Sequence, residues 1–385
     1  MPAYPNIIKS KLPKVGTTIF TVMSQLANEN KAINLSQGFP DFKSSPELIA
    51  LVNESMKKGF NQYAPMPGIL PLREEIAKKT SNLYGVDYHP ESEITITAGG
   101  TQAIYTAIAA MITEGDEVII FTPAYDCYAP AIELNGGKTV FVQMVAPEFK
   151  INWNQVKKLI TQHTKMIIIN TPHNPTGTIL KEEDMLALEK IISNTDIVLI
   201  SDEVYEHIIF DENQHQSVAK FPGLAERAFI ISSFGKTFHN TGWKMGYCLA
   251  PKNLMKEFRK AHQFIVFSVN TPMQYALAEY LKNENNYLSL ASFYQQKRDY
   301  FVNLIKDSRF EVLPSSGTYF QLLSYSKITN KSDKDFAIEL TKKHKIAAIP
   351  VSVFYHKNID DQLLRFCFAK KEETLQQAAE ILNKV

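Results

Sequence analysis

The stretch AFIISSFGKTFHNTGWKMGYCLA, residues 228–250, decides how this chain is read. It opens on an apolar run, closes on another, GYCLA, and sets Lys236 between them among small residues. A lysine that follows an apolar strand lies at the strand's carboxyl end, where open α/β sheets bind their ligands. Upstream, further β-branched runs alternate with helical patterns: ITITAG (94–99), EVIIF (117–121), KMIIIN (165–170) and DIVLISD (196–202). Continuous apolar strands without in-and-out alternation suit a mostly parallel sheet covered by helices on both faces. Helices are predicted over 102–112, 154–160 and 182–192, the last with acidic residues in its first turn, where the helix dipole favours them.

Downstream the pattern changes. A helical run from about 271 to 307 precedes the strands GTYFQLL (317–323) and LLRFCFA (363–369) and a final helix over 371–383. This predicts a smaller α+β lobe, with the long helical run linking the lobes. The first forty residues are rich in loop signals and are expected to cover a site instead of forming a core. The division is residues 1–45 as an N-terminal arm and part of the small domain, 46–280 as a large domain, and 281–385 as the small C-terminal domain.

Composition bounds the function. At 385 residues, with 45% hydrophobic and 21% charged, the chain can bury sizeable cores, and its length fits two lobes around one site. Its 41 basic and 40 acidic residues leave a formal charge of +1, with no broad footprint for nucleic acid or an anionic membrane. A small-molecule substrate follows. Cys127, Cys248 and Cys367 are far apart and lack metal-ligand spacing, so no metal is expected and a reduced, cytoplasmic setting is. MPAYPNIIKSKLPKV has no apolar signal-peptide region, and no apolar run is long enough to span a bilayer.

Taken alone, Lys236 would be a solvated surface group. Its context is SSFGKTFHNTGWKMGY (232–247), and with it come QYAPMPG (62–68), TPHNPTG (171–177), SDEVYEH (201–207) and LLRFCFAKKE (363–372). Together, and in this order, these motifs resemble the class I aminotransferases of fold-type I. Within that class they resemble the bacterial methionine aminotransferases and their kynurenine aminotransferase relatives, over essentially the whole chain.

The resemblance implies an α/β fold-type I architecture whose large domain binds pyridoxal 5′-phosphate, with Lys236 carrying the cofactor as a Schiff base and serving as general base. Asp202 then pairs with the cofactor's ring nitrogen and keeps it cationic, as an electron sink requires. Tyr205 and Asn174 contact the ring oxygen. Asn174 also faces the substrate, and its motif reads independently as a turn. Gly99, Gly100 and Thr101 lie between a strand and a helix start, where free backbone amides and the helix dipole hold a phosphate. Ser233 and Lys244 complete that phosphate cup by resemblance. Lys244 stands where many aspartate aminotransferases have arginine, a point charge in place of a bidentate one.

By the same likeness Tyr125 stacks on the cofactor ring, while Arg365 grips the substrate α-carboxylate with help from the backbone amide of Gly38. Tyr63 reaches the phosphate of a neighbouring subunit, which implies a homodimer, and Phe267 lines the partner's pocket or packs in the core. Ile19, Phe20, Tyr63 and Phe267 are the expected side-chain lining. With no second arginine evident for a side-chain carboxylate, methionine and aromatic amino acids are favoured as donors to a 2-oxo acid in a ping-pong cycle. Two alternatives remain on the same scaffold: β-elimination from cysteine conjugates, and a non-catalytic cofactor-binding module. A nicotinamide dehydrogenase would need a Gly-x-Gly-x-x-Gly turn, which the sequence lacks.

Overall fold

The structure, a computed structural model, describes residues 7–357 and 359–385; the first six residues of the expected N-terminal arm lie outside them. In chain order its strands are β1 (Ile33–Asn34), β2 (Ile94–Thr97), β3 (Glu117–Thr122), β4 (Lys138–Gln143), β5 (Thr164–Asn170), β6 (Val198–Asp202) and β7 (Ala228–Ser233). There follow β8 (Gly246–Leu249), β9 (Glu311–Val312), β10 (Phe320–Ser324), β11 (Ile346–Ala347), β12 (Ile349–Pro350) and β13 (Leu363–Cys367).

Seven of these form the central sheet, in the order β2-β8-β7-β6-β5-β3-β4. The pairs β3/β4, β3/β5, β5/β6 and β6/β7 are parallel, and only β8 runs against its neighbours. The mostly parallel expectation therefore holds. Every residue of β2, β3, β6 and β8 is buried. Along β6, Leu199 joins the core on one face while Val198 and Ile200 join the core on the other, which is why no polar alternation marks the strand. Each such side chain contributes roughly 1.5–3 kcal/mol on burial.

The carboxyl ends of β5, β6 and β7 line up in register. Asn170 stands beside Asp202, Asp202 beside Ile231, and Ser233 beside Gly246. Because β2 is antiparallel to β8, its end at Thr97 comes to the same edge, also beside Gly246. Glycine is required there: a Cβ on Gly246 would lie 2.7 Å from the Ser232 carbonyl oxygen.

A second sheet, β12-β13-β10-β9, is antiparallel throughout. Two expectations are corrected, and an edge strand is added. The helical run over 271–307 is broken into Thr271–Leu281, Asn285–Leu288 and Leu290–Leu304; the polar segment KNEN (282–285) interrupts it, and the Asn283 carboxamide oxygen accepts from the backbone of Asn285. The edge strand β4 was not foreseen, because its KTVFVQ pattern is polar at both ends and half-exposed. The first forty residues do contribute to the core: the helix Ile19–Glu29, capped by Thr18, buries Met23 and Ala27, and Leu35 follows them. Its neighbour β1 pairs in parallel with β11, so the start of the chain is held by the C-terminal portion.

Candidate active site

A cavity of about 230 Å³ opens at the carboxyl edge of the large sheet. Its lining gathers residues from distant parts of the chain: Phe20, Gly38, Gly100, Thr101, Tyr125, Asn174, Asp202, Tyr205, Ser233, Lys236, Lys244 and Arg365. The sequence had singled out each of them. Tyr63 and Phe267 are elsewhere, outside this cavity and 81% and 49% exposed, with their rings edge-to-face at 5.1 Å. Ile19 also lies outside the lining.

Lys236 sits in the short helix Phe234–Thr237, directly after β7. Its Nζ donates to the Tyr319 hydroxyl at 2.7 Å and to the Gly38 carbonyl at 3.3 Å, and Tyr319 donates to that same carbonyl. Among the described residues no carboxylate forms an ion pair with it. Burial is the main reason its amine falls from its usual value to about 8; Arg365 and Lys244 push the same way. An amine poised there is neutral for a useful fraction of the time near neutrality.

Asp202 ends β6, and burial raises its carboxyl to about 6 against the hydrogen bond from Tyr128. Tyr128 donates to Asp202 Oδ2 at 2.5 Å. Asn170, which ends β5, locks the neighbouring turn: its amide donates to the Asp202 carbonyl at 2.8 Å, and its Oδ1 accepts from the backbone of Asn174 at 2.8 Å. That bond fixes the TPHNPTG turn against the sheet edge.

Arg365, from β13, is 1% exposed. Its guanidinium lies 3.8 Å from the centroid of Phe320, with Phe354 at 5.2 Å and Phe20 at 5.4 Å. It donates through Nη1 to Asn174 Oδ1 at 2.6 Å and through Nη2 to the Ser36 carbonyl at 3.3 Å. Burial lowers its value to about 10, which leaves it charged at any physiological pH. Its Nε is buried and has no protein partner among the described residues. A cation left with a spare donor in an aromatic enclosure suits a carboxylate ligand.

Across the cavity, the helix Gly100–Met111 begins without a side-chain cap. Gly99 adopts φ +82, and a Cβ there would lie 3.6 Å from Lys244 Nζ. The backbone turn and the ammonium thus face each other closely, a donor set whose chemistry suits a phosphate. Tyr125 borders it, its hydroxyl 3.3 Å from Thr101 Oγ1. The uncapped helix start, the carboxylate of Asp202 and the unpaired amine of Lys236 together fit a phosphorylated pyridine aldehyde.

Sequence reading missed Tyr128, Asn170 and Tyr319. Asn170 carries the signal that marked Asp202, a polar residue ending an apolar strand. Tyr128 lies within FTPAYDCYAP, three residues beyond Tyr125. Tyr319 lies within GTYFQLL, where its polar tip is concealed by a strand pattern.

Residues 30–382 match the family "Aminotransferase class I and II", and the chain belongs to it. It is a pyridoxal 5′-phosphate-dependent aminotransferase of fold-type I. The chain is 50% identical to the methionine aminotransferase of Escherichia coli (strain K12), with 99% of each chain covered. It is 34% identical to human kynurenine–oxoglutarate transaminase 1, over 94% of each. The crystal structure of YbdL from Escherichia coli, whose reactivity identifies a methionine aminotransferase function, superposes with a TM-score of 0.96 over 99% of this chain and 100% of that one, at 50% identity. Amino acids and 2-oxo acids are the substrates this family implies. Among the described residues no helix is long and apolar enough to cross a membrane.

Proposed function

We propose that this enzyme transfers the amino group of methionine or an aromatic L-amino acid to a 2-oxo acid in ping-pong order. The observation that carries the reading is the setting of Arg365 among Phe20, Phe320 and Phe354. The only other basic side chains of the cavity are Lys236 and Lys244, so no cation in the described lining is free for a second carboxylate. A flexible thioether or a ring suits aromatic walls. Likeness to the Escherichia coli methionine aminotransferase supports the same donor.

In this reading Gly100, Thr101, Ser233 and Lys244 hold the cofactor's phosphate, Tyr125 covers its ring, Tyr205 and Asn174 face its ring oxygen, and Asp202 its ring nitrogen. Bound there, pyridoxal phosphate supplies an aldehyde and an electron-withdrawing ring that make loss of the α-proton feasible. Arg365, with the Gly38 amide and Asn174, fixes the substrate carboxylate and so the direction of the α-hydrogen. Lys236 would anchor the cofactor and, with its Nζ freed by substrate, would take the α-proton and return it two bonds away, on the carbon of the former aldehyde.

The reading includes a homodimer in which Tyr63 reaches the partner's phosphate site and Phe267 its substrate pocket. Its support is the exposure of both rings, together with Phe264 at 90%, and the left-handed φ of +69 at Phe267, costly for a bulky residue. It also includes the division into a large domain over 46–280 and a small one from 281–385 with the N-terminal arm, supported by the β1–β11 pairing. A cytoplasmic setting is supported by three free cysteines. A panel of amino donors against one 2-oxo acid tests the donor assignment: methionine and phenylalanine should give the highest kcat/KM. Faster turnover of aspartate would overturn it.

A further inference from the structure

Asp202 is the only carboxylate lining the described cavity, and it is 3% exposed. Among the described residues it belongs to no ion pair. Its Oδ1 receives only the Val204 amide, at a long 3.4 Å, whereas its Oδ2 receives the Tyr128 hydroxyl at 2.5 Å. Tyr128 does not line that cavity. It stands behind Asp202 as the first residue of the helix Tyr128–Leu134, itself 3% exposed, with its ring edge-to-face on Tyr125 at 5.8 Å. Its other side borders a second cavity of about 390 Å³ that also touches Asn170 and His173.

We propose that Tyr128 is a positioning residue for the electron sink: its phenol holds Asp202 ionised and aims the carboxylate at the cofactor's ring nitrogen. The proposal rests on the role given to Asp202 above. A carboxylate facing a protonated pyridine shares one proton with it. Whatever stabilises the carboxylate's charge leaves that proton on the ring. The phenol is suited to this, because burial foremost, and then the charge of Asp202, raise it well above the ordinary tyrosine range, so it stays a donor.

The other groups around Asp202 do not replace it. Lys236 favours the ionised carboxylate but its amine is engaged by Tyr319 and Gly38. Glu203 acts in the opposite direction, and its own oxygens are taken by Ser201 at 2.7 Å, His215 at 2.7 Å and the Val218 amide at 3.0 Å. Cys127 and Tyr125 add no donor to Asp202, and burial raises both. The Tyr128 hydroxyl is the strongest hydrogen bond the carboxylate has.

The test is Tyr128→Phe in the holoenzyme, which keeps the ring and its contact with Tyr125. Cofactor labelled with ¹⁵N in the pyridine ring reports directly where the proton sits. In the parent enzyme the nitrogen should resonate as protonated, and in Tyr128→Phe its shift should move toward the unprotonated ring. Kcat should fall about tenfold, as loss of a hydrogen bond to a charged group predicts, while KM for the amino acid, set by Arg365, changes much less. An unchanged shift and kcat in Tyr128→Phe, alongside cofactor loss from Asp202→Ala on dialysis, would overturn the proposal and leave the site reading standing. Retention of cofactor and shift in Asp202→Ala would overturn both.

Discussion

Lys79, buried, and Lys236, half-buried at the cavity, are surrounded in opposite ways. Lys79, in the helix Leu70–Tyr84, is 5% exposed and donates to Glu206 Oε1 and to the Tyr247 hydroxyl, each at 2.8 Å. Glu206 also accepts from Tyr84 at 2.6 Å. Burial raises that carboxyl, but Lys79 foremost and then His207 outweigh it and hold it well below the usual carboxylate range. Lys236 has a phenol and a carbonyl, and no carboxylate partner among the described residues. A paired ammonium is a structural cation, whereas an unpaired one gives up its proton and becomes a reactive amine. The first also serves the second: Glu206 adjoins Tyr205, so its bond to Lys79 pins the loop that carries a phenol into the cavity.

Removing the reactive amine should have the largest effect. Lys236→Ala is expected to lower kcat by about 10²–10⁴-fold or more, the range for a positioned proton-transfer group, with no loss of thermal stability. A residual rate within tenfold of the parent would erase the contrast. Lys79→Met should do the reverse, costing about 3–5 kcal/mol by stranding Glu206 in the core, read as a lower Tm in calorimetry. Replacing Glu206 by leucine in the same protein should restore much of that loss; if Lys79→Met melts like the parent, the pair does not hold the fold.

The smallest effect is on pH dependence. Burial carries the Lys236 amine down to about 8, so its reactive neutral form is half complete there and nearly complete roughly a unit higher. Capture of pyridoxal phosphate by the cofactor-free protein should therefore accelerate through pH 8 and level off about a unit above it. Acceleration continuing to pH 10, as for a solvated lysine, would show that the cavity does not tune this amine.

The parallel sheet was legible because its strands are apolar on both faces, and each such run in DIVLISD and AFIISSF can only be satisfied between two layers of helices. β4 was not, since an edge strand needs no such pattern. At the site, Asp202 ends an apolar strand and Lys236 follows one, and the motifs around them gave them their roles. Tyr128 and Tyr319 had no such mark, because a tyrosine's ring packs like any core residue and its hydroxyl's partner is set by tertiary contact, across 74 residues for Tyr128 and Asp202. The helix Ile19–Glu29 was hidden by the loop-like residues around it.

Arg365 donates to the carbonyl of Ser36, a residue 329 positions earlier. Cys367 donates its backbone N–H to the carbonyl of Leu35, at 2.8 Å, beside it. At a ribosomal pace of about 5–20 residues per second, Leu35 and Ser36 wait on the order of tens of seconds for the strand that pairs with them. In the proposed reading of Arg365, no nascent fragment ending before β13 can grip a substrate, so catalytic competence arrives only once that strand has been made.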